Sequence, residues 1–188
     1  MSRYELYLFV HIAAAVIWVG GGFMLIVLGI QAENANDENR LRTVFEQIGG
    51  VATKVIVPAS IVVVLMGILM VVDGPWSLEY LWIVLGLAGF LATFATGIGI
   101  LTPQSEKLGA QLASEGMTPA TANGIRRLLT IARVDAVVLF VVIADMALKP
   151  TGEDVGVLIV MALVMAGGLA YVVTRLRAIP PEGVQARA

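Results

Sequence analysis

Residues 4–30 read YELYLFVHIAAAVIWVGGGFMLIVLGI, and from Leu6 to Ile30 this run holds no Asp, Glu, Lys or Arg. A helix rises about 1.5 Å per residue and the hydrocarbon core of a bilayer is about 30 Å thick, so roughly 20 apolar residues suffice to cross it. A cleaved secretory signal has an apolar core of only about 7–15 residues, ending at a small-residue cleavage site. This run continues past Phe23, Met24 and Leu25, so it reads as a retained membrane span.

The same pattern recurs at about 53–72, 80–101, 128–148 and 155–173, which predicts an all-α, polytopic transmembrane helix bundle of five spans. We expect residues 1–178 to form one transmembrane domain and 179–188, with Pro180 and Pro181, a short cytoplasmic tail. The composition agrees: 59% of the 188 residues are hydrophobic and 14% charged, and the mean hydropathy is +0.90. That apolar excess is more than a soluble domain of this size buries. With no cysteine, the chain forms no disulfide, iron–sulfur cluster or thiolate zinc site, and its single histidine, His11, excludes a poly-histidine metal site within one chain. A formal charge of −2 gives no reason to expect a nucleic-acid partner.

Lys and Arg favour the cytoplasmic side of short loops. With five spans, one side holds only Arg3 and Lys149. The other holds the remaining 10 of the 12 basic residues, namely Arg40, Arg42, Lys54, Lys107, Arg126, Arg127, Arg133, Arg175, Arg177 and Arg187. The expected topology is therefore N-terminus outside and C-terminus cytoplasmic, in the inner membrane, with the lipid bilayer as the first partner. Glu5, Asp73, Glu79, Asp145, Glu153 and Asp154 gather at the outer rim, where they either attract cations or are simply solvated loop acids. Asp73-Gly74-Pro75 reads as a turn, and Trp76, Tyr80 and Trp82 as anchors at the headgroup level. On the cytoplasmic side Leu41, Val44, Phe45, Ile48 and Val55 recur at helical spacing after Asn36-Asp37, predicting an amphipathic helix that leads into the second span. Pro103 is expected to break the chain after the third span, with a weak stripe at Leu108 and Leu112, and Thr118-Pro119 to start the fourth helix ahead of the bilayer.

Ionisable side chains inside a bilayer are costly and usually face protein or water, which singles out His11, Arg133, Asp135 and Asp145. Trp18, seven positions after His11, is expected on nearly the same helix face, with Gly20, Gly21 and Gly22 one turn deeper leaving room for a helix or a flat ligand. Two readings stand: a packing histidine bonded to a neighbouring helix, or an axial ligand to haem or copper. Asp145 is placed to pair with Lys149 at i+4, or to share a polar pocket with His11. Asp135, deeper, has Lys54 as its expected partner, either as a structural pair or as a proton-carrying carboxylate; Arg133 points elsewhere, snorkelling inward. Gly89, Thr93 and Gly97 form a small-residue packing face, Pro58 and Gly67 permit a kink, and Met66, Met70 and Met146 suit either core packing or copper(I).

The stretch Leu8-Phe9-Val10-His11-Ile12, followed by Ile17-Trp18-Val19-Gly20-Gly21, resembles the first helix of a bacterial integral membrane family of unknown function. That family is similar in turn to the CopD-like copper-resistance domain and the HemJ-like protoporphyrinogen oxidases. Pro58, Gly67, Pro103 and the Lys149-Pro150 end of the fourth helix extend the likeness over about residues 4–150. The resemblance implies a four-helix core with the fifth helix added. It also implies haem b as a candidate cofactor, with His11 as ligand, Trp18, Gly20 and Gly21 as neighbours and Lys149 as a weaker second ligand. Unlike the better-understood relatives, the chain has no second histidine for bis-histidine ligation, which leaves His11 alone, His11 with another side chain, or one His11 from each chain of a homodimer. The alternatives are a small proton-coupled transporter or channel using Asp135 and Asp145, or an accessory subunit bound to other membrane subunits.

Overall fold

The computed structural model describes residues 2–35 and 37–180, and among them every regular element is helical. Five long helices follow one another: α1 (Arg3–Asn34), α2 (Glu38–Asp73), α3 (Leu81–Glu115), α4 (Pro119–Leu148) and α5 (Val155–Ala178). They occupy the five expected places but run further into the connections. Ser2 and Glu5 close a capping box at the start of α1, Asp37 accepts the amides of Asn39 and Arg40 at the start of α2, and Thr118 accepts that of Thr121 ahead of Pro119. The amphipathic helix expected before the second span is continuous with it. Asn36 and 181–188, including Arg187 and most of the expected tail, lie outside the described residues.

Pro103 does not break α3. A π turn over Gly97–Leu101 precedes it, as another over Ala52–Ile56 precedes Pro58 in α2, and a third covers Val16–Gly20 in α1. Proline donates no backbone hydrogen bond and crowds the carbonyl four residues back; a local i→i+5 pattern just ahead of it lets the helix continue.

The central helix is α4. It packs against α1, α3 and α5 and touches α2, while α5 rests on α4 alone and lies outside the four-helix core. Glycines set the closest approaches: a methyl group at Gly89 would lie 2.3 Å from Val142 of α4, and one at Gly168 would lie 2.6 Å from Val137. Arg127 of α4 donates to the carbonyls of Leu176 and Ile179 and so closes the end of α5. Beyond the expected spans, Ala32, Leu41, Phe45, Leu108, Leu112, Ala122 and Ile125 form a compact apolar core at one end of the bundle. Leu41, Phe45, Leu108 and Leu112 come from the two stripes expected in the connecting segments; Ala32, Ala122 and Ile125 lie outside them.

Among the described residues four helices, α1, α2, α3 and α5, are long and apolar enough to cross a membrane. The polar exception is α4, which carries Arg126, Arg127, Arg133, Asp135 and Asp145.

Candidate functional site

His11 sits half-buried on α1 and faces α2, where its Nδ1 lies 2.8 Å from the carbonyl oxygen of Val63. A carbonyl only accepts, so Nδ1 carries the proton and Nε2 of the neutral ring keeps its lone pair. Gly67, one turn after Val63, makes the space: a methyl group there would stand 3.3 Å from the imidazole. That is a more specific role than the kink read from the sequence.

Trp18 does not join His11. It is buried against Phe90 of α3, edge to face at 5.8 Å. The π turn that contains it shifts the helical phase, so the seven-residue spacing no longer returns to one face. Nor do the three glycines act together: Gly21 meets Ile56, whereas Gly20 and Gly22 have nothing within 4 Å of an added methyl group.

Lys149 and Asp145 also part company. Lys149 is the left-handed C-cap of α4 (φ 48°), its amide bonding the Asp145 carbonyl, and its Nζ lies 4.2 Å from the ring centre of Trp76 and 5.2 Å from that of Trp82. Trp76 in turn donates to the Tyr4 hydroxyl at 3.0 Å, tying the start of α1 to the α2–α3 turn and the end of α4. The Asp145 carboxyl group, 1% exposed, packs against Gly86, and neither of its oxygens has a hydrogen-bond partner among the described residues. It meets neither Lys149 nor His11.

Arg133 does not snorkel. It is buried and forms an ion pair with Glu33 of α1, a residue the hydropathy pattern had left beyond the first span. Because α1 continues to Asn34, Glu33 falls one turn after Gly29, which packs against Leu129 of α4, and so it faces the same helix. The spacing of Gly29 and Glu33 was the available signal.

Asp135 lines a partly open cavity of about 330 Å³ between α1, α2, α3 and α4. No ion pair joins it to Lys54, which lines a separate shallow depression beside α1. The cavity was not legible in the sequence. All three π turns border it, through Trp18 and Val19, through Ala52, Thr53 and Ile56, and through Gly97, Ile98 and Leu101. Its wall is largely apolar and aromatic, with hydroxyls at Thr53, Ser60, Thr93, Thr102 and Ser105; Thr53, Ser60 and Thr93 are tied to carbonyls of their own helices. No His, Met, Tyr, Lys or Arg lines it among the described residues, and no group of three or more metal-ligating side chains occurs there.

The family model described as predicted integral membrane protein (DUF2269) matches residues 5–150, most of the chain, and the protein belongs to that family. The match ends where α4 ends, leaving α5 outside it. No curated protein and no solved structure matches the chain.

The Glu33–Arg133 pair supplies a stability test. Replacing either partner alone by Met strands a buried charge and is expected to cost on the order of 3–5 kcal/mol, whereas the double replacement regains most of that loss. Thermal unfolding in one detergent checks it; equal losses in the single and double variants would show that the charges are not coupled.

Proposed function

We propose that this member of the family crosses the inner membrane five times, N-terminus outside, and binds a lipophilic small molecule in the cavity between its first four helices, with Asp135 as the polar contact. The cavity carries the reading: three π turns border one largely apolar space, and π turns within α-helices are frequent at functional sites. The distribution of Lys and Arg supports the topology. So does the burial of Arg133 and Asp145, since a helix carrying such groups crosses a bilayer when they face protein. Asp145 does not line the cavity, so the geometry favours binding at Asp135 over a relay through both carboxylates.

A second reading, haem or copper held by His11, has one supporting observation. Donation from Nδ1 to a backbone carbonyl is the arrangement that orients a ligating histidine and leaves Nε2 available. The surroundings supply one protein nitrogen and no more: Lys149 is held by tryptophans and the cavity wall offers no axial ligand. The reading therefore fits coordination by His11 alone, or by one His11 from each of two chains, and it leans on the first-helix resemblance to CopD-like and HemJ-like domains.

The natural absence of cysteine makes topology directly measurable. A single cysteine at Ser2 is expected to react with a membrane-impermeant maleimide in intact spheroplasts, and one at Ser114 only after lysis; the reverse pattern would invert the topology. For the cavity, Gly22 and Gly97 line it and have open space at the position of an added methyl group, so Gly22→Leu/Gly97→Leu is the variant expected to fill it. Native mass spectrometry from nanodiscs is expected to show a small-molecule adduct on the wild type that this variant lacks; identical adducts on both would refute the reading. For His11, absorption spectra of protein expressed with ample haem decide the matter: a Soret band lost or shifted in His11→Ala supports ligation, and its absence from the wild type removes it.

A further inference from the structure

We propose that the ligand is a lipophilic cation, an apolar body with an ammonium-like head, for which Asp135 is the counter-charge. The inference rests on the cavity-binding reading above and adds the class of ligand.

Charge comes first. Asp135 and Glu106, the latter at the exposed edge, are the charged groups on the cavity wall, with no basic side chain beside them among the described residues. Arg133, two positions from Asp135, is committed to Glu33, and Lys54 faces away. Asp135 makes no hydrogen bond or ion pair with any described residue. A lone carboxylate in apolar surroundings attracts a cation far more strongly than it would in water.

The wall is the second argument. Trp18, Phe23, Phe45, Phe90, Phe94 and Phe140 present aromatic surface to the cavity, with Phe90 stacked on Phe94 at 5.6 Å. Aromatic faces attract a cation as well as an apolar body, so they and Asp135 recognise the same kind of molecule. An anionic amphiphile finds no partner on this wall.

Access is the third. α1 packs on α2 and α4, and α3 on α4, but α2 and α3 face each other across the cavity without comparable packing. Phe94 and Ile98 of α3 line the cavity and are 38% and 58% exposed, so the cavity is open beside them. A solute dissolved in the bilayer meets the cavity from the side, between α2 and α3, and a lipophilic cation is one that partitions there.

The test uses the full chain in nanodiscs with two fluorescent probes of equal chain length, a dansyl-alkylammonium and its neutral N-acetyl analogue, titrated by anisotropy. The ammonium is expected to bind at least about tenfold tighter than the neutral probe, a difference of roughly 1.4 kcal/mol. Asp135→Asn is expected to bring it to the neutral probe's affinity, and Gly97→Leu to weaken both. Displacement of the ammonium probe from wild type by tetraphenylphosphonium, and not by neutral triphenylmethane, tests the same point without any variant. Equal binding of the two probes, unchanged in Asp135→Asn, overturns the cationic class and leaves the cavity reading standing. If wild type binds neither probe, the cavity reading fails with it, and a native mass of two chains without probe would place a second copy in the crevice instead.

Discussion

A charge within a bilayer has to be enclosed by protein, and the bundle is arranged around one such enclosure, the Glu33–Arg133 pair between α1 and α4. The pair leaves Glu33 Oε1 and Arg133 Nε without partners, so it is imperfectly satisfied, and such a pair contributes registry more readily than net stability. Its consequence is positional. With α1 fixed against α4 at this level, Gly29 lies on Leu129, and the end of α1 joins the starts of α2 and α4 in the apolar core around Leu41 and Ile125. The helix that carries Arg133, Asp135 and Asp145 in its apolar stretch is thereby the one with the most helical neighbours, and the four more apolar helices, α1, α2, α3 and α5, surround it.

At the other end of the bundle an aromatic group performs the corresponding task. Trp76 stacks edge to face on Trp82 and Tyr80, donates to Tyr4 and receives Lys149 on its ring. The strained left-handed backbone at Lys149 is what turns the chain out of α4 and brings the ammonium over the indole, and Pro150, fully buried, forbids further helix. The Lys-Pro pair that marks the family resemblance thus has a local physical meaning that requires no ligand. Between these two clamps α2 and α3 do not pack closely on one another, and the cavity lies there.

The sequence made the long apolar elements legible because crossing a bilayer imposes a length and a composition that nothing else demands, and Leu6–Ile30 satisfies both without one charged residue. Caps were legible too: Thr118-Pro119 starts α4 as read. What was hidden depended on phase. A spacing of seven should have placed Trp18 beside His11, but a π turn intervenes, and nothing in Val16–Gly20 announces it by residue type. Pro103 looked like a terminator because its effect depends on whether the preceding turn can relax. Asp145 and Lys149 looked like an i,i+4 pair because the rule assumes both residues remain in helical geometry, and Lys149 is the residue that leaves it. The cavity itself has no sequence signature, since it is the space left where α2 and α3 fail to pack.

The two carboxylates of α4 show how position decides chemistry on one helix. They are ten residues apart, roughly 15 Å along the axis. Asp145 packs against Gly86; it is 1% exposed and its oxygens have no hydrogen-bond partner among the described residues. Its place is structural, filling the α3–α4 contact beside Gly86. Asp135 has the same chemistry but borders a cavity framed by aromatic rings and the three π turns. Of the ionisable groups that the sequence placed inside the membrane, Arg133 is answered by Glu33 and His11 by Val63, and Asp145 is walled in. Asp135 alone of those four has both an unpartnered carboxyl group among the described residues and a cavity beside it, and that is why the proposed binding site is placed there.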